Sequence, residues 1–253
     1  MELSTHHNFF SANSSGYRQF RPDYPNELFQ YLAMLSDGHD KAWDVATGTG
    51  QAAKGLAVHF EKVFASDISE GQLKQAEQKN NIQYFVGSAE QTKIPDASID
   101  IISVAQALHW FDTEPFFQQV DRVLKPGGLL AVWSYQLFSI NSEIDAITHR
   151  LYSHTLKGYW SPRRKLIETN YQTIDFPYNM LSVPNFYIEK TWSFDQVIGY
   201  LNTWSAVKRY MEQEEANPVA AIKQKLAFAW CDTHHMKKIK WPLNLIVCRK
   251  PQI

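Results

Sequence analysis

Asp44-Val45-Ala46-Thr47-Gly48-Thr49-Gly50-Gln51 sets two glycines one residue apart. Gly48 and Gly50 let a backbone turn sharply and approach a ligand closely. A helix beginning after such a turn presents free N–H groups at its start. Open α/β sheets bind ligands at this edge of their strands. The spacing Gly48-x-Gly50-x-x-Ala53 also fits a dinucleotide fingerprint, and a glycine turn with no ligand remains open. Asp67 can accept hydrogen bonds from ribose hydroxyls. It could instead cap the next helix, a job open to Ser69 as well. Together the two features point to a ligand carrying a ribose.

Two further runs hold candidate chemistry: Gly87-Ser88-Ala89-Glu90, and Val104-Ala105-Gln106-Ala107-Leu108-His109-Trp110-Phe111-Asp112. His109 can serve as a base or as a partner to a carboxylate, or it can be a structural histidine. Trp110 reads as a packing ring. Arg163 and Arg164 read as a solvated face. Cys231 and Cys248 have neither metal nor redox spacing, so neither a metal site nor a disulfide framework is expected.

The elements that would position these residues alternate in type. Leu28, Phe29, Leu32 and Leu35 share a helical face that Asn26 can cap. A short strand over 42–45 enters the glycine turn. Ala52, Ala53, Leu56, Ala57 and Phe60 follow at helical spacing. Strands are expected over 62–67, 82–86, 99–105 and 129–133, with a helix from Ser69 to about Lys79. Asp112 is expected to cap another helix, carrying Phe116, Phe117, Val120, Val123 and Leu124. Lys125-Pro126-Gly127-Gly128 stops it. Ile99 to Ala105 is almost continuously apolar, as suits a parallel strand buried on both faces. Five alternations of strand and helix imply an α/β fold, a parallel sheet with helices on both faces.

After Ser134 the rhythm changes. Residues 135–232 read as mostly helical or irregular, with helices over 143–157, 194–210 and 215–229, and form a cap over the sheet. Two closing strands are expected over 235–240 and 243–249, around Pro242. The organisation expected is thus an N-terminal lid and α/β core over 1–134, a cap over 135–232, and closing strands over 233–253.

The 253 residues are 44% apolar and 20% charged, with a formal net charge of -1. That balance offers nothing to attract a polyanion, so no nucleic acid and no anionic membrane partner is expected. No bilayer-spanning run and no leader sequence is recognised, and a cytoplasmic monomer or homodimer is expected. Of the eight tryptophans, Trp160, Trp192, Trp204, Trp230 and Trp241 lie in the second half, as core or as the walls of a pocket.

The residues 44–51, Asp67, 88–90, 105–112 and 125–128 occur in the order of class I S-adenosylmethionine-dependent methyltransferases. The set resembles the methyltransferase type 11 group, and within it the trans-aconitate-methyltransferase-like branch. Arg21-Pro22-Asp23-Tyr24-Pro25 is similar to that branch's N-terminal segment. Thr191-Trp192-Ser193-Phe194 and the run 200–206 are similar to its cap. The resemblance implies a Rossmann-like sheet of seven strands, mostly parallel with the last antiparallel. It implies S-adenosylmethionine as cofactor, S-adenosylhomocysteine as product, and a small-molecule acceptor, with O-methylation of a carboxylate as one form. A nicotinamide-dependent oxidoreductase and a non-catalytic cofactor-binding protein are the alternatives. Tyr-x-x-x-Lys, which hydride chemistry would use, is not recognised.

By resemblance, Asp44, Thr47, Gly48 and Gly50 hold the methionine part, with Ala46, Glu90 and Ala105 in the same cofactor set. Asp67 takes the ribose and Ile68 packs on adenine. Ser88, where relatives often carry Asp, and Ala89 meet the adenine edge. Gln106 passes the methyl end, and Tyr17 and Arg21 form a lid over the methionine carboxylate. His109, Trp110, Trp133 and Trp204 are the candidates on the substrate side, with His109 the candidate base.

Overall fold

The computed structural model describes residues 20–252. Seven strands form one sheet in the order β3-β2-β1-β4-β5-β7-β6. They are β1 (Lys41–Val45), β2 (Lys62–Asp67), β3 (Ile82–Val86), β4 (Ile99–Ala105), β5 (Leu124–Tyr135), β6 (Phe186–Trp192) and β7 (Lys237–Arg249). β1 to β5 pair in parallel. β7 runs antiparallel to both β5 and β6. The order reverses at β1 and β4, where the carboxyl ends of adjacent strands open a crevice.

Period-two alternation sends β5 side chains to opposite faces. Leu129, Ala131, Trp133 and Tyr135 join one core, which also holds Leu28, Phe29 and Leu32 of α1 (Asn26–Leu35). Leu130 and Val132 join the other, with Phe116, Val120 and Val123 of α4 (Thr113–Val123). The first core continues into the cap through Ile144, Leu151, Val197, Tyr200, Leu201, Val207, Leu226 and Trp230. The region 135–232 therefore shares its hydrophobic interior with the sheet.

A strand, β6, lies inside the region read as helical or irregular. Ile188 and Trp192 point inward, while Tyr187, Glu189 and Thr191 are exposed. Glu189 pairs with Lys238 at 2.7 Å, a cross-strand charge pair suited to a sheet edge. The two closing strands are one, β7. Ile239, Trp241, Leu243, Leu245 and Val247 keep an unbroken inward alternation through Pro242. Pro242 has no N–H to give, but its carbonyl accepts from Gln136 N at 3.0 Å.

The helix after Ser69 spans only Glu70–Leu73, α3; Ser69 does cap it, accepting from Gln72 N. Pro25, not Asn26, occupies the cap position of α1. Asp112 sits at the cap position of α4, but its side chain makes no capping bond. The helix expected over 194–210 breaks into α7 (Phe194–Asn202) and α8 (Ser205–Glu214). Thr203 Oγ1 donates to Tyr200 O at 2.6 Å, and Trp204 is extended. A local side-chain bond of this kind competes with helix continuation. The other helices are α2 (Gln51–Leu56), α5 (Ser142–Arg150), α6 (Arg164–Glu168) and α9 (Pro218–Trp230). Among the described residues, no helix is long and apolar enough to cross a membrane.

Candidate functional site

The turn after β1 is built on a buried carboxylate. Asp44 has no solvent exposure. It accepts from Thr47 Oγ1 at 2.5 Å and from Ser103 Oγ, on neighbouring β4, at 2.6 Å. Burial pushes its carboxyl up to about 6, against the pull of these two hydroxyls. Four residues around the crevice have left-handed backbone: Ala46 (φ 53°), Gly48 (φ 57°), Gly50 (φ 82°) and Gln106 (φ 56°). For Ala46 and Gln106 this is strained, and such strain gathers where a backbone is shaped for a ligand. The two glycines differ. A Cβ on Gly50 would lie 2.4 Å from Tyr84 Oη, whereas one on Gly48 would meet nothing within 4 Å. Gly48 therefore faces open space.

Asp67 closes the end of β2. One oxygen accepts from Gly48 N and the other from Ser69 N, each at 2.8 Å. Both carboxylate oxygens are thus held at the carboxyl end of β2, beside the glycine turn. Beside it Ile68 is 45% exposed, an apolar surface held open at the strand end. Ser88 and Glu90 are half-buried and Ala89 is buried. Glu90 Oε1 accepts from Asp112 N at 3.2 Å, tying this loop to the start of α4.

Ala105 ends β4, and Gln106 continues from it. Gln106 N donates to Trp133 O at 2.8 Å. Gln106 lines a cleft of about 370 Å³, open solvent included, whose other walls include Arg21, Tyr135, Trp160, Arg164, Tyr200 and Trp204. Arg21 Nη1 donates to Tyr135 Oη at 2.7 Å, and its guanidinium lies 5.5 Å from the Tyr200 ring centre. The cleft thus joins the strand edge to the cap. Arg164 corrects the expectation of a solvated face. It is half-buried, stacked 4.3 Å from the Trp160 ring centre. Arg163 is exposed, yet it too is engaged, donating to Trp110 O at 2.7 Å.

A family model described as a methyltransferase domain matches residues 43–132, which holds the glycine turn, Asp67 and Gln106. A Dictyostelium discoideum protein named as a methyltransferase is 32% identical over 248 residues, 95% of this chain and 94% of its own length. A solved structure from Anaeromyxobacter dehalogenans, described as a type II methyltransferase, superposes with a TM-score of 0.87 at 39% identity. It covers 92% of this chain and 99% of its own. The chain belongs to the class I S-adenosylmethionine-dependent methyltransferases. A Saccharomyces cerevisiae protein named as an S-adenosylmethionine-dependent methyltransferase is 32% identical over 137 residues. This chain spans 46% of that relative's length.

In this methyltransferase the remaining candidates separate by location. Trp204, 5% exposed, lines the cleft. Trp133 has no exposure and packs edge-on against Tyr24 and Phe29, at ring separations of 5.5 and 6.2 Å. That makes it core rather than pocket wall. His109 is 6% exposed, and its Nδ1 lies 3.2 Å from Tyr171 Oη. Burial, aided by the charges of Arg164 and Arg163, drives its imidazole down to about 3. A neutral ring so resistant to protonation is a poor base. Both it and Trp110, half-buried and 4.7 Å from it between ring centres, lie outside the lining of the cleft. Tyr17 lies outside the described residues. Sequence reasoning missed Tyr135, Tyr200 and Arg164 as cleft residues. Tyr200 had a signal in the cap run it belongs to; Tyr135 sits two residues past the strand expected over 129–133.

Proposed function

We propose that this methyltransferase moves a methyl group from S-adenosylmethionine to the carboxylate of a small molecule, forming a methyl ester. One observation carries the reading: Gln106 belongs both to the strained strand edge and to a cap-covered cleft containing two arginines. A cofactor on the edge and an acid in the cleft would meet at that residue.

The residues present fit the cofactor. The open face of Gly48 leaves room for its methionine part beside Asp44, Ala46, Thr47 and Gly50. Asp67, a carboxylate acceptor at the end of β2, suits ribose hydroxyls. The exposed Ile68 offers an apolar face to adenine, with Ser88 and Ala89 at the ring edge and Glu90 behind them. When bound, the sulfonium supplies an electrophilic methyl carbon and departs as a neutral thioether. A carboxylate is already ionised at neutral pH, so the chain has no proton to remove. The reading asks for no general base, and His109, held neutral by burial, offers none. What the protein contributes is alignment: arginines to hold the acid, and Trp204, Tyr200 and Trp160 to exclude water from it. A cleft of this kind under a cap suits a small acceptor.

The test is transfer of labelled methyl from S-adenosylmethionine to a panel of small acids, followed by mild alkali. An ester releases its label as methanol, and this is the expected outcome. A base-stable methylated product would overturn carboxylate methylation while leaving methyl transfer itself standing.

A further inference from the structure

Arg164 is a cation prepared for a ligand that the protein itself does not provide. Its guanidinium stacks on Trp160 at 4.3 Å and lies 5.1 Å from the Tyr152 ring centre. Its Nε donates to Tyr152 Oη at 2.7 Å. Tyr152 in turn donates to Glu168, so that acid is engaged through the phenol. Among the described residues, no carboxylate pairs with Arg164 and no acceptor meets its two terminal nitrogens. The half-buried guanidinium rests against two aromatic rings and holds no counter-ion among the described residues, so its two terminal nitrogens stay open to a ligand. The fork that remains matches two oxygens of a planar anion.

We propose that Arg164 is the residue that selects an acid as methyl acceptor, receiving a carboxylate across its two terminal nitrogens. Tyr152 and Glu168 are positioning residues. The phenol fixes Nε, Glu168 fixes the phenol, and Trp160 holds the plane. The fork therefore meets its ligand with little rotamer freedom left to lose. This rests on the methyltransferase reading of the cleft, and it adds which side chain discriminates acids from neutral isosteres.

The experiment uses the full chain saturated with S-adenosylhomocysteine. Benzoate, succinate and citrate are titrated calorimetrically, with benzamide and phenylphosphonate as comparisons, into wild type, R164Q and Y152F. At least one carboxylate is expected to bind wild type and to bind R164Q about tenfold more weakly or worse. Benzamide is expected to distinguish the two proteins by less than twofold. Y152F should fall between, because it keeps the charge but loosens the fork. Loss of acid-over-amide discrimination is a readout that mere destabilisation would not move. Three results overturn the assignment: equal acid binding by R164Q, no acid binding to wild type that holds S-adenosylhomocysteine, or Arg164-dependent binding of phenylphosphonate alone. Failure of wild type to bind S-adenosylhomocysteine would instead bring down the reading beneath it.

Discussion

A carboxyl group with no water contact, Asp44, lies under the glycine turn and titrates near pH 6 because burial disfavours its charge. Unfolded, it would titrate near 3.8. Between those values the folded chain holds the extra proton, so Asp44 makes stability fall as pH rises from about 4 to about 6, by on the order of 2–3 kcal/mol. Asp44→Asn keeps the size and sheds the charge. Its melting temperature should gain on wild type between pH 4.5 and pH 7.5; a gap that stays constant would refute the burial account. His109 acts with the opposite sign. Its folded value of about 3 lies below the unfolded 6.5, so stability is lost as pH falls below about 6.5. His109→Asn should therefore lose less stability than wild type on acidification, read from the same melts. At this scale Asp44, Gly48 and Asp67 were legible, since their chemistry follows from residue type beside a strand end. Arg164 was not. Its charge looks ordinary until the cap fold brings Trp160 and Tyr152 against it.

The turn between β1 and α2 sets two glycines in left-handed backbone for different reasons. At Gly50 the crowding comes from Tyr84, while at Gly48 the space is open. Gly50→Ala should destabilise by about 1–3 kcal/mol, from strain and the Tyr84 contact together, and adding Tyr84→Phe should return part of the loss in a denaturant melt. Gly48→Ala should cost about 1 kcal/mol and lower S-adenosylhomocysteine affinity more than tenfold, because its methyl group would enter the proposed cofactor space. Equal effects at the two positions would contradict this division. β1, β2, β4 and β5 could be read because they are apolar runs inside a parallel sheet, and β3, an edge strand with Val86 60% exposed, through its aromatic and β-branched residues Ile82, Tyr84, Phe85 and Val86. β6 was hidden because it is an edge strand, and Lys190 and Glu189 dilute its apolar alternation. β7 was divided around Pro242, although Ile239 to Val247 alternate straight through it.

The cap is bound into the whole molecule. β6 lies within 135–232 and pairs with β7 at the sheet edge, and Trp192, Tyr200 and Trp241 pack together at ring separations of 5.0 to 5.7 Å. Deleting residues 139–232 behind a short linker should abolish the cooperative thermal transition seen by circular dichroism. Survival of a sharp transition would mean that the sheet folds without its cap. The α/β class was legible because alternation of strand and helix survives in a single sequence. The cleft was not, because Arg21, Gln106, Arg164 and Trp204 come together only when cap and strand edge meet. The β1–β4 edge is proposed to bind S-adenosylmethionine through the Gly48 turn and Asp67. Calorimetric titration with S-adenosylmethionine, S-adenosylhomocysteine and NAD tests it most directly. Binding of the two sulfur compounds to wild type, and its loss in Asp67→Ala, is the expected result; binding of NAD alone, or undiminished binding by Asp67→Ala, would refute this assignment.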